Sequence, residues 1–273
     1  MNFTDLFTVK KPVIACIHLM PLPGSPLYDG NMESVIRTAL KETEIFKKYN
    51  IDGLIVENFR DMPFYPDVLP PETIAAMSSV TREIVKSFPG PVGVNALRND
   101  AGAALAVAVA TGARFIRVNV HTGAAITDQG IIEGKAHETL RLRATLKSDV
   151  LVFADVNVKH ATPMGNRSIA LETRDLTERG LTDAIIVSGD LTGSEARTED
   201  IDEVRNNTHL PIILGSGATP ENLPQFLPKI DSLIVGSYFK KEGKAANQVE
   251  EKRVMEFTDR KDIIINVENQ KSK

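Results

Sequence analysis

Eight short apolar runs recur along the chain, and a turn or a helix-like stretch follows each. They are Val13–His18, Gly53–Asn58, Val92–Asn95, Phe115–Val120, Val150–Val158, Ala184–Ser188, Ile212–Gly215 and Ser232–Gly236. Most are apolar throughout rather than alternating, the pattern of strands covered on both faces. The intervening segments carry a helical period. Glu33–Tyr49 places Val35, Ile36, Ala39, Leu40, Ile45 and Phe46 near every 3.6 residues. Thr73–Ser87 begins after Pro70-Pro71-Glu72, and Ser168–Arg179 stops at Gly180. Ala101–Ala110, Gly134–Lys147, Thr198–Asn206 and Thr219–Leu227 complete the alternation, the last with a cap-then-proline start at Thr219-Pro220. Strand–helix alternation implies right-handed βαβ units and a parallel sheet. Eight units predict an α/β fold, a single (β/α)8 TIM barrel with parallel strands over residues 1–257. An open doubly wound sheet is the alternative. The stretch from about Lys252 is charged, and residues 258–273 read as a frayed tail.

The polar exceptions to this pattern fall at one end of the strands. Strand one ends in His18 and strand two in Glu57-Asn58. Strand three ends in Asn95, strand four holds Arg117 and Asn119, and strand six ends in Ser188. The fifth run, 151-LVFADVNVKH-160, starts apolar and then alternates Asp155, Asn157 and Lys159 with Val156 and Val158. Alternate strand residues share a face. That spacing aims Asp155, Asn157 and Lys159 into one cavity and turns Val156 and Val158 toward the helices. Active-site groups of such barrels sit at the C-terminal strand ends, so this is where chemistry is expected. A carboxylate directly after Leu54-Ile55-Val56 is costly to bury unless paired or functional, which singles out Glu57. The other polar residues have plainer readings too. Asn95 and Asn119 can satisfy strand-end backbone, Arg117 can point outward to a helical acid, and His121 can be an ordinary loop histidine.

A phosphate site is predicted at the last two strands. In 212-IILGSGATPENL-223, Gly215, Ser216 and Gly217 follow strand seven, and Thr219 would cap a helix whose amides favour an anion. Gly236 and Ser237 follow strand eight, with Ser188-Gly189 as a third small edge and Lys240 or Lys241 as assisting cations. Tight turns alone would also call for these glycines.

Composition narrows the class. The 273 residues are 42% hydrophobic and 25% charged, with a net charge of −4. That balance argues against a broad basic surface for nucleic acid or bilayers. No run reaches the ~18 apolar residues of a membrane span, and the start lacks a secretory apolar core. A cytoplasmic location is therefore expected. The only cysteine, Cys16, lies in the apolar run 13-VIACI-17. It excludes an intrachain disulfide and a cysteine-based zinc site, and reads as a buried structural thiol.

The segments IHLMPLPGSP, GLIVENFRDMPF, VGVNALRNDAGAALAVAVATGARFIRVNVHTGA, FADVNVKHATP, IIVSGDLTG and LGSGATPENL resemble the BtpA/SgcQ family. The resemblance runs from about Pro12 to Phe257. It implies a TIM barrel of the ribulose-phosphate-binding superfamily, and an association with photosystem I biogenesis or with sugar uptake. It implies no single reaction and no catalytic residues.

Three functions are consistent with these residues. The first is an enzyme on a small phosphorylated sugar or nucleoside-like metabolite. Glu57, Asp155, Lys159, Asn157 and His18 are its candidate catalytic residues. Gly215, Ser216, Gly217, Gly236, Ser237, Ser188, Asn95 and Asn119 are its candidate binding residues. No cofactor is expected. The second is a divalent-metal enzyme using Glu57, Asp155, His18 and His160 as ligands. The third is a non-catalytic assembly factor whose Pro-, Met- and aromatic-rich loops 19–27 and 62–71 bind other proteins. Self-association as a homo-oligomer accompanies any of the three.

Overall fold

The computed structural model describes residues 1–158, 160–165, 167–189 and 195–271. Lys159, a candidate site residue, lies outside them. The elements in chain order are α1 (Phe3–Leu6), β1 (Val13–His18), α2 (Met32–Lys48), β2 (Gly53–Glu57), α3 (Pro71–Ser87), β3 (Val92–Asn95), α4 (Ala101–Thr111) and β4 (Phe115–Val118). There follow β5 (Ala124–Thr127), β6 (Gly130–Glu133), α5 (Ala136–Thr145), β7 (Leu151–Val156), β8 (Ala161–Pro163) and α6 (Ile169–Arg174). The chain ends with β9 (Ala184–Val187), α7 (Thr198–Asn207), β10 (Ile212–Leu214), α8 (Leu223–Phe226), β11 (Ser232–Val235) and α9 (Glu251–Lys271).

Eight parallel strands close a barrel in the order β1-β11-β10-β9-β7-β4-β3-β2. The TIM barrel is therefore established, and the open sheet is excluded. The apolar runs are continuous because each strand is covered twice. Inward residues Ile14, Cys16, Ile55, Phe115, Phe153, Ile186, Ile213 and Ile234 fill the interior. Outward residues such as Val13, Leu54, Val152 and Leu214 pack under the helices. Gly93 has no side chain because Phe115 uses its space, its ring lying 2.1 Å from where a Cβ would stand. The short α1 closes the N-terminal end of the barrel. Phe3 sits 5.8 Å from Phe153 and Phe7 6.3 Å from Phe115, centroid to centroid.

Four expectations need correction. Residues 258–273 are not simply a frayed tail: α9 continues to Lys271, and buried Lys261 reaches Asp52 at 3.2 Å. The helix after β10 does not start at Thr219; it runs only over Leu223–Phe226, beyond Asn222. The Asn222 side chain staples the turn before it, accepting from the Thr219 N–H and donating to the Gly217 carbonyl, both at 2.8 Å. The fifth barrel strand stops at Val156, since Asn157 turns left-handed at φ 52°. Finally, β5, β6 and β8 form a small antiparallel sheet that the sequence reading assigned to loops. Val158 packs there with Val120, Ala125 and Ile132, not toward the helices. Among the described residues, no helix is long and apolar enough to cross a membrane.

Candidate functional site

Parallel register builds the mouth of the barrel. His18 pairs with Glu57 across β1 and β2, and Glu57 with Asn95 across β2 and β3. Three polar side chains thus stand in one row at the C-terminal end. Arg117 on β4 and Asp155 on β7 complete the set, and all five are buried.

Arg117 faces inward, not toward the helix layer. There it meets two carboxylates, Asp155 on the adjacent β7 and Glu57 on β2. It donates from Nε to Asp155 Oδ2 and from Nη2 to Oδ1, both at 2.8 Å, while Nη1 lies 3.7 Å from Glu57 Oε1. Burial opposes the guanidinium charge, but Asp155 and then Glu57 outweigh it and hold Arg117 above its ordinary value. Asp155 also accepts from Asn119 at 3.0 Å and Ser188 at 3.2 Å. With both oxygens filled, Asp155 orients Arg117 and is not placed to act as a base. Glu57 is held differently. Asn95 donates to Oε1 at 3.1 Å, and His18 Nε2 lies 3.5 Å from Oε2. The His18 ring stacks on Phe59 at 4.2 Å, and its Nδ1 meets the Ala245 carbonyl at 2.9 Å. A carbonyl oxygen only accepts, so Nδ1 carries the proton.

Two adjoining cavities open on this cluster and share Glu57, Phe59 and Arg117. One, of about 290 Å³, is lined by Cys16 and His18, by Gly215 to Thr219, and by Gly236, Ser237, Tyr238 and Arg253. The other, of about 380 Å³, is lined by Phe64, Leu97 and Arg98, with Asn95, Asn119 and His160. Asn119 Oδ1 is buried with no hydrogen-bond partner among the described residues.

The candidate residues thus divide. Glu57, His18, Gly215, Ser216, Gly217, Gly236 and Ser237 meet in one cavity, and Asn95 and Asn119 line the next. Asn157 is exposed and borders a third cavity with Asp155 and Arg167 instead. The four proposed metal ligands do not converge. Arg117 occupies Asp155, and His160 is exposed on a left-handed turn. Two details of the phosphate rim also change. Gly215 donates its N–H to Val187 O, and a Cβ there would lie 2.4 Å from Ile186, so packing requires this glycine. Lys240 is fully buried against Glu42 at 2.9 Å and takes no part. Arg253 was missed. It lies in the charged stretch that begins at about Lys252, and α9 carries it to the rim over the Tyr238 ring at 4.3 Å. Cys16 was read as structural only, yet it lines the cavity floor.

These features define a (β/α)8 barrel with a buried polar mouth and a rim of small residues. The sequence model of the BtpA family matches residues 9–262, and the chain belongs to that family. It is 43% identical over 258 residues to the photosystem I biogenesis protein BtpA of Synechocystis, covering 94% of this chain and 90% of that one. It is 44% identical over 245 residues to an uncharacterised protein of Pyrococcus furiosus, covering 90% and 92%. Among solved structures, N-(5'-phosphoribosyl)anthranilate isomerase of Pyrococcus furiosus superposes with a TM-score of 0.58 at 16% identity, over 93% of this chain and 99% of that one. Likeness at that identity shows the shared fold alone.

Proposed function

We propose that the chain is an enzyme acting on a small phosphorylated sugar or nucleoside-like metabolite at the barrel mouth. One observation carries this reading. A single cavity brings the small-residue rim at Gly217, Ala218, Gly236 and Ser237 together with His18, Glu57 and Arg117. The phosphate would lie against the rim beside the Arg253 guanidinium. The reacting end would meet Glu57 and His18, which can move protons, and Arg117, which can stabilise a developing oxyanion. Asn119 Oδ1 offers an acceptor for a substrate hydroxyl in the adjoining cavity. Inorganic phosphate, sugar phosphates and nucleotides should be screened by thermal unfolding. A true ligand at 100 times its Kd adds about 2.7 kcal/mol of apparent stability. Glu57→Gln should keep the shift and lose turnover of whichever metabolite binds. Absence of a shift with every phosphorylated compound would overturn this function.

A second reading, a non-catalytic assembly factor, has one observation in its favour beyond the name of the Synechocystis relative. Leu27, Met62, Tyr65 and Val68 are 69%, 48%, 51% and 63% exposed on the two mouth loops. Full biological activity of Glu57→Gln would favour it over the enzyme.

A further inference from the structure

The floor of the mouth holds a cluster that phosphate recognition does not use. Cys16 and His18 are two apart on β1, so both point into the barrel, and Glu57 is the register partner of His18 on β2. One ligand atom from each of the three lies within 4.8 Å of the others. All three residues are buried, at 4%, 6% and 5% exposure, yet all line the 290 Å³ cavity.

His18 and Glu57 are each held by a further contact, as metal ligands commonly are. His18 Nδ1 donates to Ala245 O, which fixes the ring and turns Nε2 toward Glu57. Asn95 engages Glu57 Oε1, leaving Oε2 on the His18 side. The Nε2–Oε2 separation of 3.5 Å is long for a charge-assisted hydrogen bond, which is about 2.7–2.9 Å. It matches the edge of a tetrahedron whose bonds to a shared ion are about 2.0–2.2 Å. Gly236 keeps the space open: a Cβ there would stand 3.4 Å from Cys16 Sγ and from His18 Nε2.

We propose that Cys16 Sγ, His18 Nε2 and Glu57 Oε2 bind one divalent transition-metal ion of the zinc class. Its remaining position opens beside Gly236 toward the rim. Three protein ligands plus an open position is the pattern of catalytic rather than structural zinc. The sulfur and nitrogen donors argue against magnesium and calcium, which take oxygen ligands. Charge also balances. A thiolate, Glu57 and Asp155 carry three negative charges against Arg117 and a divalent ion. A single cysteine excludes a zinc site built on several thiolates, but one thiolate in a mixed set is enough. Only the role of the open position rests on the substrate reading above. With the ion bound, Glu57 and His18 serve as ligands in place of the proton-transfer role given them above, and a water or substrate oxygen on the ion would face Arg117.

The test is cobalt titration of the full chain after chelator treatment. One equivalent of Co²⁺ should bind, with a near-ultraviolet thiolate-to-cobalt band and the visible bands of a four-coordinate ion, and Zn²⁺ should displace it. Cys16→Ser should lose the near-ultraviolet band. His18→Gln and Glu57→Gln should each weaken binding by about ten-fold or more. No stoichiometric uptake by the wild-type chain overturns the proposal, whatever the variants do. So does cobalt binding without a thiolate band. The phosphate screen, repeated on chelator-treated protein, separates the two ideas. A phosphate-dependent shift without cobalt binding sinks only the metal site. Cobalt binding without any phosphate-dependent shift sinks only the substrate reading.

Discussion

Arg117 carries a structural duty that is separable from chemistry. Its guanidinium is the main counter-charge for Asp155, whose side chain is fully buried. Breaking a buried pair by removing one partner leaves an uncompensated charge and costs about 3–5 kcal/mol. Arg117→Ala should therefore lower unfolding stability in urea by roughly that amount at neutral pH. The double variant Arg117→Ala/Asp155→Ala should recover part of the loss, because no buried charge is then stranded. Equal stability of the single variant and wild type would show that the pair contributes nothing. His121 gives a pH dependence. Burial lowers its pKa, with nearby Arg143 adding to that and the Gly180 carbonyl and Asp183 opposing it. The folded imidazole is thus neutral where the unfolded one, near its ordinary value of about 6.5, takes up a proton. Stability is then lost as pH falls through the unfolded value, at no more than about 1.4 kcal/mol per pH unit. His121→Gln, which can still donate to Gly180 O, should lose less stability than wild type between pH 7.5 and 5. Parallel losses would remove His121 as the cause.

Among the elements, those with one strong local signal were legible. Continuous apolar runs located all eight barrel strands, since burial on both faces leaves no room for polar residues until the mouth. The small sheet of β5, β6 and β8 was not legible. Its strands are three or four residues long, and the apolar side chains that pack there, Ala125, Ile132 and Val158, come singly from separate segments. The helix after β10 was misplaced because Asn222, not Thr219, organises that turn. α1 was overlooked because four residues carry no period. Its Phe3 and the following Phe7 nevertheless close the barrel floor. Phe7 is 5% exposed and contacts Phe115, so Phe7→Ala should cost about 3–5 kcal/mol in chemical unfolding. Ligand affinity at the other end should be unchanged. A weakened affinity in folded Phe7→Ala protein would mean that the two ends are coupled.

Across the whole molecule, the barrel separates stability from chemistry by height. Inside the barrel, phenylalanines and isoleucines fill the N-terminal half, and His18, Glu57 and Arg117 stand at the other end. The polar row was legible because position along a strand reports height in a barrel. What sequence could not supply was partnership. Nothing in the spacing showed that Arg117 would engage Asp155, or that the final helix would return to the mouth. That return makes Arg253 the sharpest whole-chain test. It comes from α9, is remote in sequence from the β10 loop, and shares a cavity with Gly217 and Ser237. Its ring contact with Tyr238 keeps the guanidinium at the rim. A hydrogen bond to a charged group is worth about 1.5–3 kcal/mol, so Arg253→Gln should weaken phosphorylated-ligand binding ten-fold or more. The loss should be smaller at high salt, where the wild-type attraction is itself screened. The unfolding midpoint without ligand should stay near wild type, because Val254 and Phe257 still anchor the helix. Unchanged affinity in this variant would remove Arg253 from the site and leave the rim to backbone amides alone.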